Sequence, residues 1–245
     1  MGLSLIPLMI AGLLGWLPAA GGGDEAAAQR ANRERAPLAE RLRTRGFSAG
    51  SKVHLRVFKA ENRLEVWLER DGRYQLFETY PVCRWSGRLG PKLREGDGQA
   101  PEGFYAVPRA ALNPNSSYHR SFNLGFPNAH DRALGRTGTF LMVHGDCVSV
   151  GCYAMTDPAI TELWTLMTAA YDRGQRTVTV DAFPFRFTPA RMATSMSGSE
   201  GSFWRELAEG DRRFVETGRP AAVWSCAARY RFEGGTGCTP VRAGG

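Results

Sequence analysis

Met142-Val143-His144-Gly145-Asp146-Cys147-Val148-Ser149-Val150-Gly151-Cys152-Tyr153-Ala154-Met155 is the stretch on which the reading of this chain turns. It sets His144 and a Gly-Cys pair eight positions apart, on either side of a tight turn. An apolar run over residues 140–143 feeds into His144, and Thr156-Asp157-Pro158 after Cys152 signals a helix start. A thiol at the mouth of a helix, facing an imidazole at a strand end, is the minimum kit for a thiolate nucleophile. The helix N-terminus favours the anion and the imidazole takes the proton. Gly151 allows close substrate approach, and a Cys152 amide near the helix start is placed to stabilise an oxyanion. The pattern predicts cysteine acyl-transfer chemistry, with Cys152 as nucleophile and His144 as base.

Working outward, residues 53–58 read as a strand. Residues 64–68 alternate with period two, and Asp71-Gly72 turns the chain into residues 74–80, which makes a β-hairpin. Residues 86–103 are rich in Gly, Pro and charge, a long loop of the kind that carries binding residues on a rigid sheet. Further strands are predicted at 104–107, 121–124, 139–144 and 176–180, with a loop over 123–138. Ile160, Leu163, Trp164 and Met167 fall at helical spacing, with Asp157 read as N-cap and Pro158 in the first turn. Short helices are expected at 36–45, 189–196 and 202–208, and two short strands within 221–232. Trp164, Phe203 and Trp204 read as core. The fold class is α+β. The expected organisation is a signal peptide or N-terminal anchor over 1–21, a linker with a short basic helix over 22–50, a mostly β catalytic domain over 51–187, and an irregular helical and β C-terminal extension over 188–245.

The net charge of +7 favours anionic partners, and without an RNA- or DNA-binding signature an anionic wall polymer or membrane surface suits it better than nucleic acid. Residues 3–18 are apolar and end at Ala19-Ala20-Gly21, small residues that suit cleavage of an export signal. The run is short for a membrane span. Export, to the periplasm or beyond it, is the expectation, with an uncleaved N-terminal anchor as the alternative. In an oxidising compartment the remaining cysteines matter. Cys226 and Cys238 bracket a hairpin-like segment, and a bridge there is worth roughly 3 kcal/mol in the loop-entropy model. Cys83 and Cys147 are expected either to bond to each other or to be held apart from Cys152.

Several neighbours admit two readings. Ser149 either hydrogen-bonds His144 or the thiolate, or stabilises the turn. Gly145 can orient the imidazole through its carbonyl, in place of a side-chain third member of a triad. Asp146 can do the same, and equally suits a turn. His54, His119 and His130 lie outside the motif and read as surface or structural. A competing class is a zinc site from His144, Cys147, Cys152 and Cys83, at irregular spacing. Another is a wall-binding module without catalysis.

The segment resembles the catalytic motif of the YkuD-type L,D-transpeptidases, and more closely the YafK-like murein branch. The likeness runs from about Val53 to Tyr230. It is carried by Tyr80-Pro81-Val82-Cys83, Trp85-Ser86-Gly87, Leu89-Gly90-Pro91-Lys92, Glu95-Gly96-Asp97 and Ala100-Pro101-Glu102-Gly103-Phe104-Tyr105. It continues in Asn113-Pro114-Asn115-Ser116, Ser121-Phe122-Asn123-Leu124-Gly125-Phe126-Pro127-Asn128-Ala129, Gly135-Arg136 and Phe183-Pro184-Phe185-Arg186. The resemblance implies a mostly β, YkuD-like catalytic fold and a thioester on Cys152 formed from a peptidoglycan stem peptide at meso-diaminopimelate. Water resolving it releases a wall-attached lipoprotein, the outcome associated with this branch, and an amine acceptor makes a cross-link or an attachment. No cofactor or metal is called for, and the chain is expected to act as a monomer. Against the general family pattern only seven residues separate His144 from Cys152, Val150 stands for a histidine and Ala154 for an arginine. A substrate carboxylate then needs another cation, and Lys92, Arg94 and Arg136 are the candidates.

Overall fold

The alternation of Leu64, Val66 and Leu68 becomes real pleating. In the computed structural model, which describes Arg30 and residues 35–244, β2 (Arg63–Arg70) and β3 (Arg73–Pro81) form the hairpin read from the sequence. They continue into β1 (Val53–Phe58), β10 (Thr177–Phe183) and β5 (Gly103–Pro108), in the sheet order β3-β2-β1-β10-β5. Only the β1–β10 pair is parallel, with Leu55 opposite Val180.

Every residue of β1 is buried, which requires the sheet to be covered on both faces. Val53, Leu55 and Val57 point into the main core with Ile160, Leu163 and Met167 of helix α3 (Asp157–Asp172). Successive side chains alternate, so His54, Arg56 and Phe58 meet the other layer. There Phe58, Phe104 and Phe183 pack against Phe203, Trp204 and Leu207 of helix α5 (Gly201–Thr217). The segment after residue 188 covers this second face with α4 (Pro189–Ser195), α5 and a small sheet, β12-β11-β13. That sheet consists of β11 (Val223–Cys226), β12 (Arg229–Arg231) and β13 (Cys238–Arg242). The polar members of the layer are paired: Arg242 with Asp181, Arg56 with Asp211, and His54 Nδ1 with Thr179 Oγ1 at 2.8 Å.

Four local features depart from the sequence reading. Helix α5 runs well beyond residue 208, because Phe214 extends its buried stripe and Glu209 pairs with Arg212 and Arg213 on the open side. Strand β13 carries no readable period; it is held by pairing with β11 and by the bond between Cys226 and Cys238. Within the expected loop over 123–138 lies a short helix, α2 (Ala129–Ala133), started by a reciprocal capping box of Asn128 and Asp131. The N-cap of α3 is Thr156, whose hydroxyl accepts from Ala159 N–H at 3.4 Å; Asp157 is freed for another task.

The second sheet carries the motif. Its order is β4 (Arg84–Trp85), β9 (Tyr153–Ala154), β8 (Met142–His144), β7 (Ser121–Asn123) and β6 (Leu112–Asn113). Strands β8 and β9 are parallel, with Val143 opposite Tyr153 and His144 opposite Ala154. The connection is therefore a short crossover over residues 145–152 and not a hairpin turn. The basic helix α1 (Leu38–Thr44) is anchored to β3 and α3 by Arg41, which pairs with Glu78 at 2.8 Å and Glu162 at 2.5 Å.

His130 of α2 is buried, with neither ring nitrogen hydrogen-bonded among the described residues, and stacks on Tyr230 at 3.9 Å. Burial, helped by the Arg136 charge, holds its pKa down at about 3. The unfolded chain takes up this proton below about pH 6.5 and the folded chain does not until about pH 3, so stability falls as pH drops through that window and is level above it. In His130→Phe, which keeps the stacking ring, thermal melts between about pH 7 and 4.5 are expected to show a shallower loss than in the unchanged protein.

Candidate active site

His144 ends β8, with its carbonyl accepting from Met155 N–H at 2.7 Å and its ring buried. Nδ1 lies 2.6 Å from the Gly145 carbonyl oxygen. A carbonyl only accepts, so the neutral ring carries its proton on Nδ1 and presents a lone pair at Nε2. Burial lowers the pKa of the ring, opposed by the Gly145 bond and the Asp146 charge. Tyr118 tilts over it with ring centres 4.8 Å apart.

The turn that aims the Gly145 carbonyl is tightly held. Gly145 N–H is shared by the carbonyls of Tyr118 and Arg120 at 3.1 and 3.2 Å. A Cβ at Gly145 would lie 3.0 Å from the Tyr118 carbonyl and closer still to the Asp157 carboxylate. Asp157 accepts from Asp146 N–H at 2.9 Å. Asp146 therefore serves the turn, and the backbone of Gly145 serves the ring. Cys147 follows, bonded to Cys83, with Ala154 buried against the pair. Asp146 and Cys147 both take left-handed backbone, φ 66° and 43°, which lets the crossover reverse within a few residues.

At the far end of the crossover Ser149 Oγ accepts from Cys152 N–H at 3.1 Å and donates to the Cys152 carbonyl at 2.7 Å. It makes no hydrogen bond to His144 or to the thiol among the described residues and closes the turn on the nucleophile's own peptide. Gly151, at φ 91°, donates its N–H to Ser86 Oγ. Both amides beside the nucleophile are thus taken by hydroxyls. Cys152 also does not start a helix: it precedes β9, and α3 begins five residues later. The helix-mouth arrangement expected from the sequence is replaced by a strand edge.

Cys152 is the one free cysteine among the described residues. Its Sγ accepts from Met142 N–H at 3.4 Å and lies 3.6 Å from the Phe140 carbonyl. Burial pushes the thiol pKa up, with the Met142 N–H and the Lys92 charge pulling the other way. The resting pair is therefore a neutral thiol and a neutral imidazole, and not the preformed thiolate that a helix dipole would have favoured. His144 is two residues along the strand from the amide that holds Sγ, a backbone distance of about 7 Å.

The three cation candidates part company. Lys92 is buried, 2.5 Å from Asp97 and 2.9 Å from the Arg94 carbonyl. Asp97 also accepts three backbone N–H bonds and sits at about 2, burial opposing these contacts. Arg94 is exposed on the same loop. Arg136 pairs with buried Asp131 at 2.8 Å and lies over Phe203, so it belongs to the core beside α5. His54 is buried beside Asp181, while His119 is exposed and bonded to Thr161 at 2.8 Å.

The loop over residues 86–103 owes its shape to groups that sequence reasoning passed over. Lys59, fully buried, donates to the carbonyls of Arg88, Gly90 and Ala100 and pairs with Glu102 at 3.0 Å. Glu102 in turn accepts from Gly90 N–H and Trp204 Nε1. The Trp-Ser-Gly and Pro-Glu-Gly-Phe-Tyr segments already contained Ser86 and Glu102. Asp157 and Tyr118 had no comparable signal, since an aspartate at a helix start reads as a cap.

The bond between Cys83 and Cys147 removes two of the four ligands of the zinc reading, and no group of three or more metal-ligating side chains is placed to hold an ion among the described residues. No helix among them is long and apolar enough to cross a membrane; the expected leader at 1–21 lies outside the described residues.

Over 181 residues the chain is 45% identical to "Putative L,D-transpeptidase YafK" of Escherichia coli K12, a match covering 74% of each protein. The protein of the same name in E. coli O157:H7 matches equally. The chain belongs to the YafK-like branch of the L,D-transpeptidase family. No protein-family model matches it. Among solved structures, the helical cell shape determining protein Pgp2 of Campylobacter jejuni is 20% identical, with 72% of this chain and 66% of that one covered, at a TM-score of 0.45.

Two outcomes test this geometry. Alkylation of Cys152 in the resting protein should show a midpoint above the ordinary thiol value near 9, and Lys92→Met should raise it further. Joint replacement of Cys83 and Cys147 by alanine opens a loop of 64 residues and should cost about 4 kcal/mol in chemical denaturation.

Proposed function

We propose that this protein is a peptidoglycan enzyme that works through a thioester on Cys152 and hydrolyses the amide joining meso-diaminopimelate of a stem peptide to a wall-attached lipoprotein. The observation that carries the reading is the hydrogen bond from His144 Nδ1 to the Gly145 carbonyl. It commits Nε2 to accepting a proton, on the strand whose Met142 amide holds the Cys152 sulfur.

The chemistry begins from neutral partners. His144 Nε2 takes the Cys152 proton as Sγ adds to the amide carbonyl carbon. The tetrahedral intermediate collapses, the C–N bond breaks, and the imidazolium gives its proton to the departing amine. Water, deprotonated by the same nitrogen, then adds to the thioester and expels the thiolate, which recovers its proton. An amine in place of water would make the enzyme a transpeptidase. The steps call on no cofactor. Negative charge on the carbonyl oxygen needs donors, and freeing either the Gly151 or the Cys152 amide requires its serine hydroxyl to move. Of the candidate cations on the loop over 86–103, exposed Arg94 is the one suited to the anionic stem, since Lys92 is buried and paired with Asp97. An exported, periplasmic site of action fits this substrate, with or without retention of the N-terminal segment as an anchor.

Because burial holds His144 below the ordinary 6.5, the base stays unprotonated in mild acid. The acid limb of kcat/KM should lie below pH 6.5 and move with His144 substitution. The deciding experiment incubates sacculi bearing covalently attached lipoprotein with the protein or with Cys152→Ala. Lipoprotein released together with intact tripeptide stems, only when Cys152 is present, is the expected result, and His144→Ala should lose at least about a hundredfold in rate. New stem-to-stem bonds would make it a transpeptidase. Equal release by Cys152→Ala would end the thioester mechanism, and binding of sacculi with no change in either sample would leave a wall-binding module.

A further inference from the structure

Large apolar side chains left in water are informative when they cluster at a reactive centre, whereas scattered ones are ordinary. Four such side chains stand on residues that adjoin Cys152 or His144. Phe140 is 78% exposed, Val150 86%, and Val148 and Tyr118 nearly half exposed. Each belongs to a residue that adjoins the site. The Phe140 carbonyl is 3.6 Å from Cys152 Sγ, Val148 and Val150 flank the serine that closes the turn on Cys152, and Tyr118 lies over His144.

Phe140 adds a second observation. Its backbone is left-handed at φ 52°, a conformation that costs a bulky residue free energy. The chain on either side is fixed: Leu141 accepts from Leu124 N–H at 2.9 Å, and Thr139 bonds to Glu95 at 3.2 Å. An aromatic ring is thus held in solvent, on a residue whose carbonyl meets the nucleophile, against both hydration and backbone preference.

Because these residues adjoin the nucleophile and its base, what lies on them belongs to whatever is covalently joined to the carbonyl over Cys152. Glycan and stem peptide bring hydroxyls, carboxylates, amines and methyl groups, which a phenyl ring and two isopropyl groups do not select. A polypeptide brings large apolar side chains. Resting on the hydrolytic reading above, we infer that Tyr118, Phe140, Val148 and Val150 form a docking rim for apolar side chains of the polypeptide on the amine side of the scissile amide. Contact with the rim supplies binding energy remote from the bond being broken. The enzyme thereby distinguishes a stem that carries a protein from one that carries only another small amine.

The test uses two soluble substrates. Both are tripeptide stems whose diaminopimelate is amide-linked to a lysine side-chain amine. In one the lysine is a capped single residue; in the other it ends a peptide of about ten residues containing leucine, valine and tyrosine. Burying one aromatic and one aliphatic group predicts a kcat/KM ratio, long over short, of at least about tenfold. Phe140→Ser/Val150→Ser should bring that ratio close to one, with thermal melts confirming that the variant is folded. A ratio near one in the unchanged protein, with both substrates cut, would overturn the rim while leaving the Cys152 mechanism intact. A large ratio that survives in the double variant would overturn it as well. If neither substrate is cut and no acyl adduct on Cys152 appears by mass spectrometry, the hydrolytic reading fails and the rim with it. Vesicles of phosphatidylethanolamine and phosphatidylglycerol give the remaining arm: binding lost in the double variant, with an unchanged substrate ratio, would assign the apolar groups to a membrane surface instead.

Discussion

The parallel pairing of β8 with β9 is the constraint from which the rest of the site follows. Val143 opposite Tyr153 and His144 opposite Ala154 leave eight residues, 145–152, to leave one strand and re-enter the sheet in the same direction. Parallel strands usually need a dozen or more residues for that return. Here the return is made with left-handed backbone at Asp146, Cys147 and Gly151. Each such position has an external tether: Asp157 for Asp146, Cys83 for Cys147 and Ser86 for Gly151. The same tethers fix the two functional side chains, since the Gly145 carbonyl aims the imidazole and the Met142 amide meets the sulfur.

The tethers come from separate parts of the chain, which is why so much of the fold bears on so few atoms. Ser86 and the loop after it are held by Lys59, which follows β1, and by Glu102, which precedes β5. Glu102 reaches Trp204 on α5. The layer after residue 188 is thereby in structural continuity with Gly151 through a buried ion pair and a serine. Breaking one partner of such a pair costs far more than the pair contributes, so Lys59 and Glu102 are expected to matter to the site through its shape while touching none of its reacting atoms.

What could be read from the sequence was whatever carried period or local chemistry. Strands β1, β2, β3 and β10 and helix α3 announce themselves through alternation or helical spacing, and the neighbourhood of Cys152 and His144 through residue type. Strands of two or three residues carry no period, so neither β9 nor its parallel partnership was visible. The helix signal at Thr156-Asp157-Pro158 was genuine but lay on the far side of β9, which is how a strand edge came to be read as a helix mouth. Lys59 with Glu102 and Asp157 with Asp146 are long-range pairings, and single charged residues give no sign of the partner they will find. Arg136 illustrates the converse: a cation in a motif-bearing loop turned inward because Asp131 and Phe203 were there to receive it.

Ala154 occupies the volume beside the Cys83–Cys147 bond, and the backbone of Ala154 accepts from Cys83 N–H at 3.0 Å. The order of assembly matters in consequence. Until that bond forms, the crossover lacks the one tether that no hydrogen bond replaces, and a free Cys147 thiol stands five residues from Cys152 in the chain. Oxidation thus completes the turn that aims His144 and, in the same event, removes the nearest competitor for the reactive sulfur. One covalent step, independent of the substrate, thus bears on both halves of the site.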